Sequence, residues 1–240
     1  MLASIKNRLE KFIARCVANG IVNVMRNMRQ LDIEMVSYIL ASVESARYFQ
    51  DHMSMAPNLR FRTSLLDFAL RKVTLDEGLW LEFGVFQGSS IARIAIQADS
   101  TVYGFDSFEG LPEDWTHFQK KGRFSLDGQV PKGLPDNVVL VKGWFEDTLP
   151  DFLVSHSESV AFLHVDCDIY SSTKFVLDEL KNRIVPGSVI LFDEFFNYPG
   201  WQIHEARAFS EFMVETGFAF EYLGFASADH SIAIKIVAKK

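Results

Sequence analysis

Two pairs of acidic residues, each at the end of an apolar run, are the side chains of this sequence best suited to chemistry. Asp166 and Asp168 close one run, and Asp193 and Glu194 close the next run along the chain. Carboxylates that lie close together repel one another and resist ionisation, so a group of four favours a bound cation. The two pairs therefore point to a site for a cationic ligand or a metal ion.

The apolar runs that carry these acids predict the elements that position them. Residues 159–168 and 187–194 are short, nearly uninterrupted and bounded by turn residues, which is typical of strands buried on both faces. Residues 171–184 between them have helical spacing, so the three segments form a βαβ unit. Because the carboxyl ends of parallel strands lie side by side, we expect the four carboxylates to meet at one edge of the sheet, where open α/β folds bind ligands.

The composition indicates a folded α/β protein with an acidic body. The chain has 240 residues, of which 48% are hydrophobic and only 7 are proline, so we expect one large domain with an appendage. Residues 1–30 carry six basic side chains and one acidic side chain, a balance of +5, which leaves −12 for the rest of a chain whose net charge is −7. We expect no nucleic-acid partner, because an acidic body repels a phosphate backbone.

Cysteine usage and hydropathy bear on location. Cys16 and Cys167 are far apart in sequence, which favours a reducing compartment over a disulfide scaffold. No apolar run approaches the roughly 18 residues that a membrane span needs. We therefore predict a cytoplasmic protein without a membrane span. The basic N-terminal segment is either a helix packed on the body or a helix that docks on a membrane surface or a partner.

The chain divides into a helical N-terminal part and an alternating remainder. Residues 1–73 have helical spacing, and we assign them to a helical cap that forms part of a substrate pocket or a homo-oligomer contact. Residues 74–240 alternate between strand and helix patterns and end in a hairpin, which predicts a seven-stranded, doubly wound, Rossmann-like α/β sheet. Residues 115–136 are either a lid over the site or a solvated loop. The predicted strands are residues 79–83, 101–105, 137–142, 159–168, 187–194, 218–226 and 231–237.

A loop with two glycines follows the first predicted strand. In the segment 82–90 (EFGVFQGSS), Gly84 and Gly88 let the backbone turn tightly and approach a ligand, and the helix that follows offers free N–H groups. The glycines depart from the Gly-x-Gly-x-x-Gly dinucleotide pattern, and Glu82 would repel a pyrophosphate. S-adenosylmethionine, which has an amino-acid head and no phosphate, therefore fits this loop better than NAD. The alternative is that the glycines only shape a turn.

Other residues are placed to contact the same ligand. Asp106 ends the second predicted strand, 24 residues beyond Glu82, where a carboxylate either binds two ribose hydroxyls or caps a helix. Trp144 and Phe145, just past the third strand, either sandwich an adenine ring or belong to the core. The candidate cofactor-binding residues are Glu82, Gly84, Gly88, Ser89, Asp106, Ser107, Trp144, Phe145 and Asp166.

Four motifs together resemble one known family. They are residues 81–90 (LEFGVFQGSS), 103–112 (YGFDSFEGLP), 165–174 (VDCDIYSSTK) and 192–195 (FDEF). In this order they resemble the macrocin O-methyltransferase family of class I S-adenosylmethionine-dependent enzymes, and the likeness runs from about residue 62 to residue 212. The resemblance implies a class I methyltransferase fold. It also implies an enzyme that methylates a hydroxyl of a small molecule, a glycosyl group of a natural product or glycan.

The same resemblance implies roles for the acidic residues. It implies Mg²⁺, or another divalent cation, held by Asp166, Asp193 and Glu194, with Asp168 as the general base. Family members commonly have Asp-Asp where this chain has Asp193-Glu194, so the longer carboxylate displaces its ligand by about a methylene group. Such a cation lowers the pKa of a sugar hydroxyl and fixes its direction. Because residues i and i+2 of an extended strand share a face, we expect Asp166 and Asp168 to point into one cavity and Cys167 to face away.

Three further residues are candidates near this edge. Lys174, about one helical turn after Asp168, either orients the base or contacts substrate, or it faces solvent from its helix. His204 either reaches the rim or is an ordinary loop histidine, and His164 within its strand is interpreted as a core residue. The candidate catalytic residues are therefore Asp168, Lys174 and His204.

Three alternative functions stay open. A metal ion asks only for adjacent oxygens, so a catechol or other phenolic diol is an alternative acceptor. An NAD-dependent oxidoreductase would bind its cofactor at the same loop, although the glycine spacing and Glu82 disfavour it. A non-catalytic binding module that uses the N-terminal helices is the third, and the intact acidic pairs argue against it.

Overall fold

The computed structural model describes residues 19, 32–116 and 119–239, apart from the side chain of residue 239. The chain falls into two compact units, with their boundary between Leu40 and Ala41, and the sheet lies wholly in the second. The predicted division into a cap at residues 1–73 and a sheet domain at 74–240 stays a prediction. Residues 1–18 and 20–31 of that cap lie outside the described residues. Within the described residues, no helix is long and apolar enough to cross a membrane.

Helices and strands alternate along most of the chain after residue 78. Helix α1 spans Ile33–Tyr48 and continues into a π-helix at Phe49–Met53. The elements that follow are α2 (Arg62–Leu70), β1 (Leu79–Phe83), α3 (Ser89–Gln97), β2 (Val102–Asp106), β3 (Val138–Lys142), α4 (Phe145–Ser155), β4 (Val160–Val165), α5 (Tyr170–Leu180), β5 (Val189–Phe192), a 3₁₀ turn (Trp201–Ile203), α6 (Glu205–Thr216), β6 (Phe218–Phe225) and β7 (Ile232–Lys239).

The seven strands form one sheet in the order β3-β2-β1-β4-β5-β7-β6, which confirms the predicted doubly wound fold. Strands β1 to β5 are parallel, and β7 is antiparallel to both β5 and β6. The direction of strand order reverses between β1 and β4, because the chain runs outward through β2 and β3 and then returns to β4. A crevice at the carboxyl ends of the strands forms at such a reversal, and ligands bind there in open α/β sheets.

Two apolar cores, one on each face of the sheet, hold these elements together. On one face α4, α5 and α6 supply the helical side of the core, and on the other α2 and α3 supply it. Alternate residues of β4 serve the two cores, since Leu163 and Val165 belong to the first and Phe162 to the second. Strands β4 and β5 are buried along their whole length, as expected for central parallel strands covered on both faces.

The structure moves the ends of two predicted elements. Strand β4 ends at Val165, three residues before the predicted end, so the first acidic pair lies beyond the strand. Strand β5 ends at Phe192, two residues before the predicted end, so the second acidic pair also lies beyond its strand. Helix α4 begins at Phe145. Its first turn contains Glu146 and Asp147, and carboxylates there interact favourably with the positive end of the helix dipole.

The described part of residues 115–136 contains neither helix nor strand. Backbone hydrogen bonds fasten it to the loop that follows β2: the N–H of Gly122 donates to the carbonyl of Leu111 at 2.9 Å, and the N–H of Leu126 donates to that of Phe108 at 2.9 Å. This segment therefore packs beside the end of β2. Its role as a lid stays a prediction.

Candidate active site

A cavity of about 460 Å³ opens at the carboxyl ends of the central strands. The glycine loop, the ends of β2 and β3 and the two acidic pairs all contribute to its wall. Of the predicted site residues, the cavity brings together Gly84, Ser89, Asp106, Ser107, Trp144, Phe145, Asp166, Asp168, Asp193 and Glu194. Glu82, Gly88, Lys174 and His204 do not line it.

Gly84 joins the glycine loop to the first acidic pair by a close backbone contact. Its φ is +90°, and a Cβ built on it would lie 1.8 Å from the carbonyl oxygen of Asp166. The N–H of Gly84 donates to the carbonyl of Phe105 at 3.0 Å, and the N–H of Asp166 donates to that of Phe83 at 2.9 Å. Position 84 therefore requires glycine, because any side chain would force the two loops apart.

Gly88 shapes the turn into helix α3. It is the N-cap residue with a φ of +83°, and a Cβ there would lie 2.7 Å from the Leu134 side chain. Ser89 and Ser90, which follow it, line the cavity. The free N–H groups at the start of α3 therefore lie beside the cavity wall, where a helix N-terminus suits an anionic group of a ligand.

Asp106 anchors the glycine loop to the end of β2. Its Oδ2 atom accepts hydrogen bonds from the N–H groups of Val85 at 2.9 Å and Phe86 at 2.8 Å. Its Oδ1 atom accepts one from the N–H of Phe108 at 2.7 Å. The carboxylate is thus committed to three backbone donors, and a ribose contact would use the lone pairs that these bonds leave.

Glu82 and His164 form a buried pair beneath the loop. They face each other across β1 and β4, and the Nδ1 atom of His164 lies 2.9 Å from Oε2 of Glu82. The hydroxyl of Ser90 donates to the other carboxylate oxygen at 3.1 Å. Burial alone lowers the pKa of His164, but the hydrogen bond and charge of Glu82, with the charges of Asp166 and Asp193, outweigh it and raise that pKa to about 9.

His164, interpreted from the sequence as a core residue, is buried as predicted but also lies at the cavity wall. Its Nε2 atom lies 4.0 Å from Oδ1 of Asp193. One feature of the sequence could have indicated its place at the cavity: two otherwise apolar strands each contain one polar residue, Glu82 in β1 and His164 in β4. These two residues are paired in the register of the strands. Glu82 hydrogen-bonds to this imidazole and to Ser90, and its predicted contact with the cofactor stays a prediction.

The first acidic pair reaches the cavity through a sharp change of backbone direction. The expectation that Asp166 and Asp168 share a face of an extended strand is wrong, because β4 ends at Val165 and Asp168 has a φ of +62°. Aspartate tolerates this left-handed conformation better than most residues. Asp166, Cys167 and Asp168 all line the cavity, so the expectation that Cys167 faces away from it is wrong too; the Cys167 sulfur lies 3.7 Å from the Thr173 hydroxyl.

Asp193 already has two partners. The hydroxyl of Ser231 donates to its Oδ1 atom at 2.9 Å, and Nη1 of Arg62 donates to its Oδ2 atom at 2.9 Å. The Arg62 side chain is 59% exposed, whereas that of Asp193 is 5% exposed. Arg62 opens helix α2, and the sequence carries no local signal that it reaches a carboxylate 131 positions away.

Glu205 adds a fifth carboxylate that the sequence analysis missed. It is wholly buried, and its Oε2 atom accepts the N–H of Glu194 at 3.1 Å. Within the described part of the chain, Oε1 of Glu205 and Oε2 of Glu194 are buried without a hydrogen-bond partner. We call the set Asp166, Asp168, Asp193, Glu194 and Glu205 the acidic rim. The first four line the cavity, whereas Glu205 does not line it and joins the set through its hydrogen bond to Glu194.

Four carboxyl groups of the acidic rim, those of Asp166, Asp168, Glu194 and Glu205, have raised pKa values. Burial, followed by the charge of Asp193, raises the pKa of Asp168 to about 7. Burial, followed by the charges of Asp193 and Asp168, raises the pKa of Glu194 to about 10. The rim therefore retains protons at neutral pH unless a cation offsets its charges. Across residues 32–116 and 119–239, no three acidic, histidine or cysteine side chains are already arranged as a metal ion would require.

Lys174 and His204 lie apart from the acidic rim. The Lys174 ammonium pairs with Asp178 on its own helix and lies 3.7 Å from Oε2 of Glu215 on α6. His204 follows the 3₁₀ turn, and its ring centroid lies 6.4 Å from that of Trp115. Since neither residue lines the cavity, the structure does not bring them to the proposed base, and their catalytic roles stay predictions.

Residues 81–195 match a protein family described as a methyltransferase domain. An 8-demethyl-8-(2,3-dimethoxy-α-L-rhamnosyl)-tetracenomycin-C 4′-O-methyltransferase of Streptomyces olivaceus is 27% identical over 159 residues, which cover 56% of this chain and 60% of that protein. A mycinamicin III 3″-O-methyltransferase of Micromonospora griseorubida is 29% identical over 140 residues, which cover 48% of this chain and 54% of that protein. The chain thus spans little more than half the length of these relatives.

A solved structure supports the fold. A calicheamicin methyltransferase matches with a TM-score of 0.59 and 20% identity, covering 87% of this chain and 94% of that one. This likeness shows the fold alone. The methyltransferase domain match and the two named O-methyltransferases agree with the resemblance that the four motifs predicted.

Replacing Gly84 tests the contact between the two loops. We expect Gly84→Ala to destabilise the protein by about 3 kcal/mol or more, since backbone strain and a clash add together. Gly133→Ala is the matched control: its φ is +74°, but nothing lies within 4 Å of a Cβ there, so it should cost only about 1 kcal/mol. Urea unfolding measures both, and equal losses would show that the close contact at Gly84 does not constrain the fold.

Replacing Asp168 tests the cost of the acidic rim. The folded-state pKa, about 7, lies above the ordinary 3.8, so the stability that protonation provides is complete below pH 3.8 and is lost as the pH rises to 7. Without divalent cations, Asp168→Asn should therefore be more stable than the wild type at pH 8, by up to about 4 kcal/mol, and the gain should shrink toward pH 4. Asparagine also tolerates the left-handed backbone.

Asp114→Asn is the control for this measurement. The backbone N–H of Lys121 and then the side chain of Lys120 lower the pKa of this exposed carboxyl, so its loss should not stabilise the protein at pH 8. Thermal unfolding from pH 4 to pH 8 provides the comparison. If Asp168→Asn is no more stable than the wild type at pH 8, the ionised Asp168 carboxylate does not destabilise the folded protein.

Proposed function

We propose, from the premise that this chain carries a methyltransferase domain of the sugar O-methyltransferase type, that it moves a methyl group from S-adenosylmethionine to a hydroxyl of a small molecule. The acceptor we propose is a glycosyl group of a natural product or glycan. The observation that carries this proposal is one cavity that joins the glycine loop and Asp106 to four carboxylates of the acidic rim.

The loop end of the cavity suits the methyl donor. The carboxylate of Asp106 faces the loop, Trp144 and Phe145 supply aromatic surface for adenine, and the start of α3 supplies N–H groups. The donor carries a sulfonium and an ammonium group, and the acidic rim provides the negative surroundings that such cations favour. The same surroundings disfavour the pyrophosphate of NAD, and the methyltransferase domain argues against an oxidoreductase.

Asp168 is the residue we assign as general base. The acceptor oxygen attacks the methyl carbon as the sulfur–carbon bond breaks, an oxygen–carbon bond forms, and the hydroxyl proton passes to the Asp168 carboxylate. The products are the methyl ether and S-adenosylhomocysteine. Burial holds the pKa of Asp168 near 7, so the carboxyl can take up and release a proton close to neutral pH. Its left-handed backbone turns this carboxyl toward the cavity.

The acidic rim also fits a divalent cation by its chemistry. Carboxylate oxygens are the ligands that Mg²⁺ prefers, and Oε2 of Glu194 is a buried carboxylate oxygen without a described partner. Asp166, Asp193 and Glu194 are the residues that would hold the ion, and Asp193 is paired with the Arg62 guanidinium in the structure. When bound, Mg²⁺ would lower the pKa of the acceptor hydroxyl and orient it.

A catechol or other phenolic diol is the second acceptor class. The same rim favours it, because a divalent cation selects adjacent oxygens and not a sugar ring. Measuring the release of S-adenosylhomocysteine distinguishes the two acceptor classes. The compounds to compare are nucleotide-linked sugars, glycosylated aglycones and catechols. We expect turnover on a glycosylated compound.

Removing the base or the cation tests the mechanism on the active acceptor. Asp168→Asn should lower kcat by about 100-fold or more, because a positioned general base contributes that much, while the Kd for S-adenosylmethionine changes little. Chelation with EDTA should abolish turnover of the wild type, and added Mg²⁺ should restore it. Wild-type turnover in the variant would exclude Asp168 as the base, and turnover in EDTA would exclude the cation.

A further inference from the structure

Glu205 is a fully buried carboxylate beside the cavity whose charge is poorly compensated. It is the first residue of helix α6, a position that is commonly exposed, yet it has no exposed surface at all. Its Oε2 atom accepts the N–H of Glu194, and its Oε1 atom has no hydrogen-bond partner in the part of the chain that the structure describes. The start of a helix favours a carboxylate, but this does not satisfy the second oxygen.

The neighbours of Glu205 add negative charge rather than remove it. The charges that act on it most strongly are those of Asp168 and Asp166. Among the described residues that line the cavity, the basic side chains are Arg62, Arg93 and His164, and they pair with Asp193, Asp67 and Glu82. No ion pair of Glu194 or Glu205 is formed within residues 32–116 and 119–239, so this side of the acidic rim has no counter-charge of its own there.

Two unpartnered oxygens occur on residues that are hydrogen-bonded to each other. Oε2 of Glu194 and Oε1 of Glu205 are both buried, and the two residues are joined by the bond from the Glu194 N–H to Glu205. A buried carboxylate oxygen without a hydrogen-bond donor or a cation lowers the free energy of unfolding. Two such oxygens on residues that are hydrogen-bonded to each other lower it further. The pair is best explained by a ligand that supplies positive charge to both.

We propose that Glu205 is a further carboxylate of the divalent-cation site, acting together with Glu194. This inference rests on the proposed function, since it concerns the same ion. It accounts for the difference from the family at position 194, where this chain has Glu in place of the common Asp. The longer side chain of Glu194 and the additional carboxylate of Glu205 belong to the same side of the rim. Glu205 contributes the negative charge there, and its hydrogen bond fixes the Glu194 backbone.

The competing explanation is a purely structural one. In that case Glu205 stays protonated, serves only as the acceptor for the Glu194 N–H, and does not contribute to ion binding. Glu205→Gln separates the two explanations, because the amide keeps the size of the side chain and an oxygen that can accept this bond, but it removes the charge.

The experiment measures Mn²⁺ affinity from the electron paramagnetic resonance signal of free Mn²⁺, with thermal unfolding measured with and without the ion. Glu205→Gln should raise the Kd for Mn²⁺ by about tenfold or more, because one charged ligand is lost. It should also raise the Tm of the ion-free protein and reduce the gain in Tm that Mn²⁺ produces. Glu211→Gln, on the same helix but paired with Arg207 and Tyr170, should leave the Kd within about twofold of wild type.

The outcomes distinguish this inference from the function on which it rests. If the wild type binds Mn²⁺ and Glu205→Gln binds it equally well, Glu205 is structural and the cation-dependent mechanism stands. If the wild type binds no Mn²⁺, both proposals fail. Should the glutamine variant not fold, Glu205→Asp keeps the charge but shortens the reach, and a Kd equal to that of wild type would overturn the assignment.

Discussion

The close approach of the Gly84 α-carbon to the carbonyl of Asp166 is the constraint on which the cavity depends. It sets the separation between the glycine loop after β1 and the acidic loop after β4, at the point where the strand order reverses. Asp106 fixes the same loop from the other side by accepting the N–H groups of Val85 and Phe86. A methyl donor on the loop and an acceptor at the acidic rim would therefore meet at a distance set by backbone packing, which is the geometric requirement of an in-line transfer.

The acidic rim destabilises the folded protein. Buried carboxylates that repel one another reduce the free energy of unfolding, and the fold offsets this only in part. Arg62 pairs with Asp193 from a largely exposed position, and the buried pair of Glu82 and His164 places an imidazole beside Asp193. Such arrangements of poorly compensated charge are typical of functional sites, where stability is exchanged for chemistry.

Hydrophobic pattern was enough to predict the sheet and the meeting of the acidic pairs. Strands β4 and β5 are buried on both faces, so their apolar runs are long and their ends are marked by the acids themselves. Contacts that depend on tertiary structure were not predictable in this way. Arg62 reaches Asp193 from a segment 131 positions away, Glu205 meets Glu194 only because α6 begins beside it, and the pairing of Glu82 with His164 follows from the strand register. Lys174 is close to Asp168 in sequence, which made it a catalytic candidate. The direction of α5 takes its ammonium group to Asp178 and Glu215.

We propose that one cavity holds the methyl donor and a divalent cation side by side. Crystals grown with S-adenosylhomocysteine and Mn²⁺, with anomalous diffraction recorded at the manganese edge, test it most directly. The account predicts the homocysteine sulfur in the cavity beside Gly84 and an anomalous peak bound by oxygens of Asp166, Asp193 and Glu194. S-adenosylhomocysteine bound in the cavity with no manganese peak at the acidic rim would contradict it.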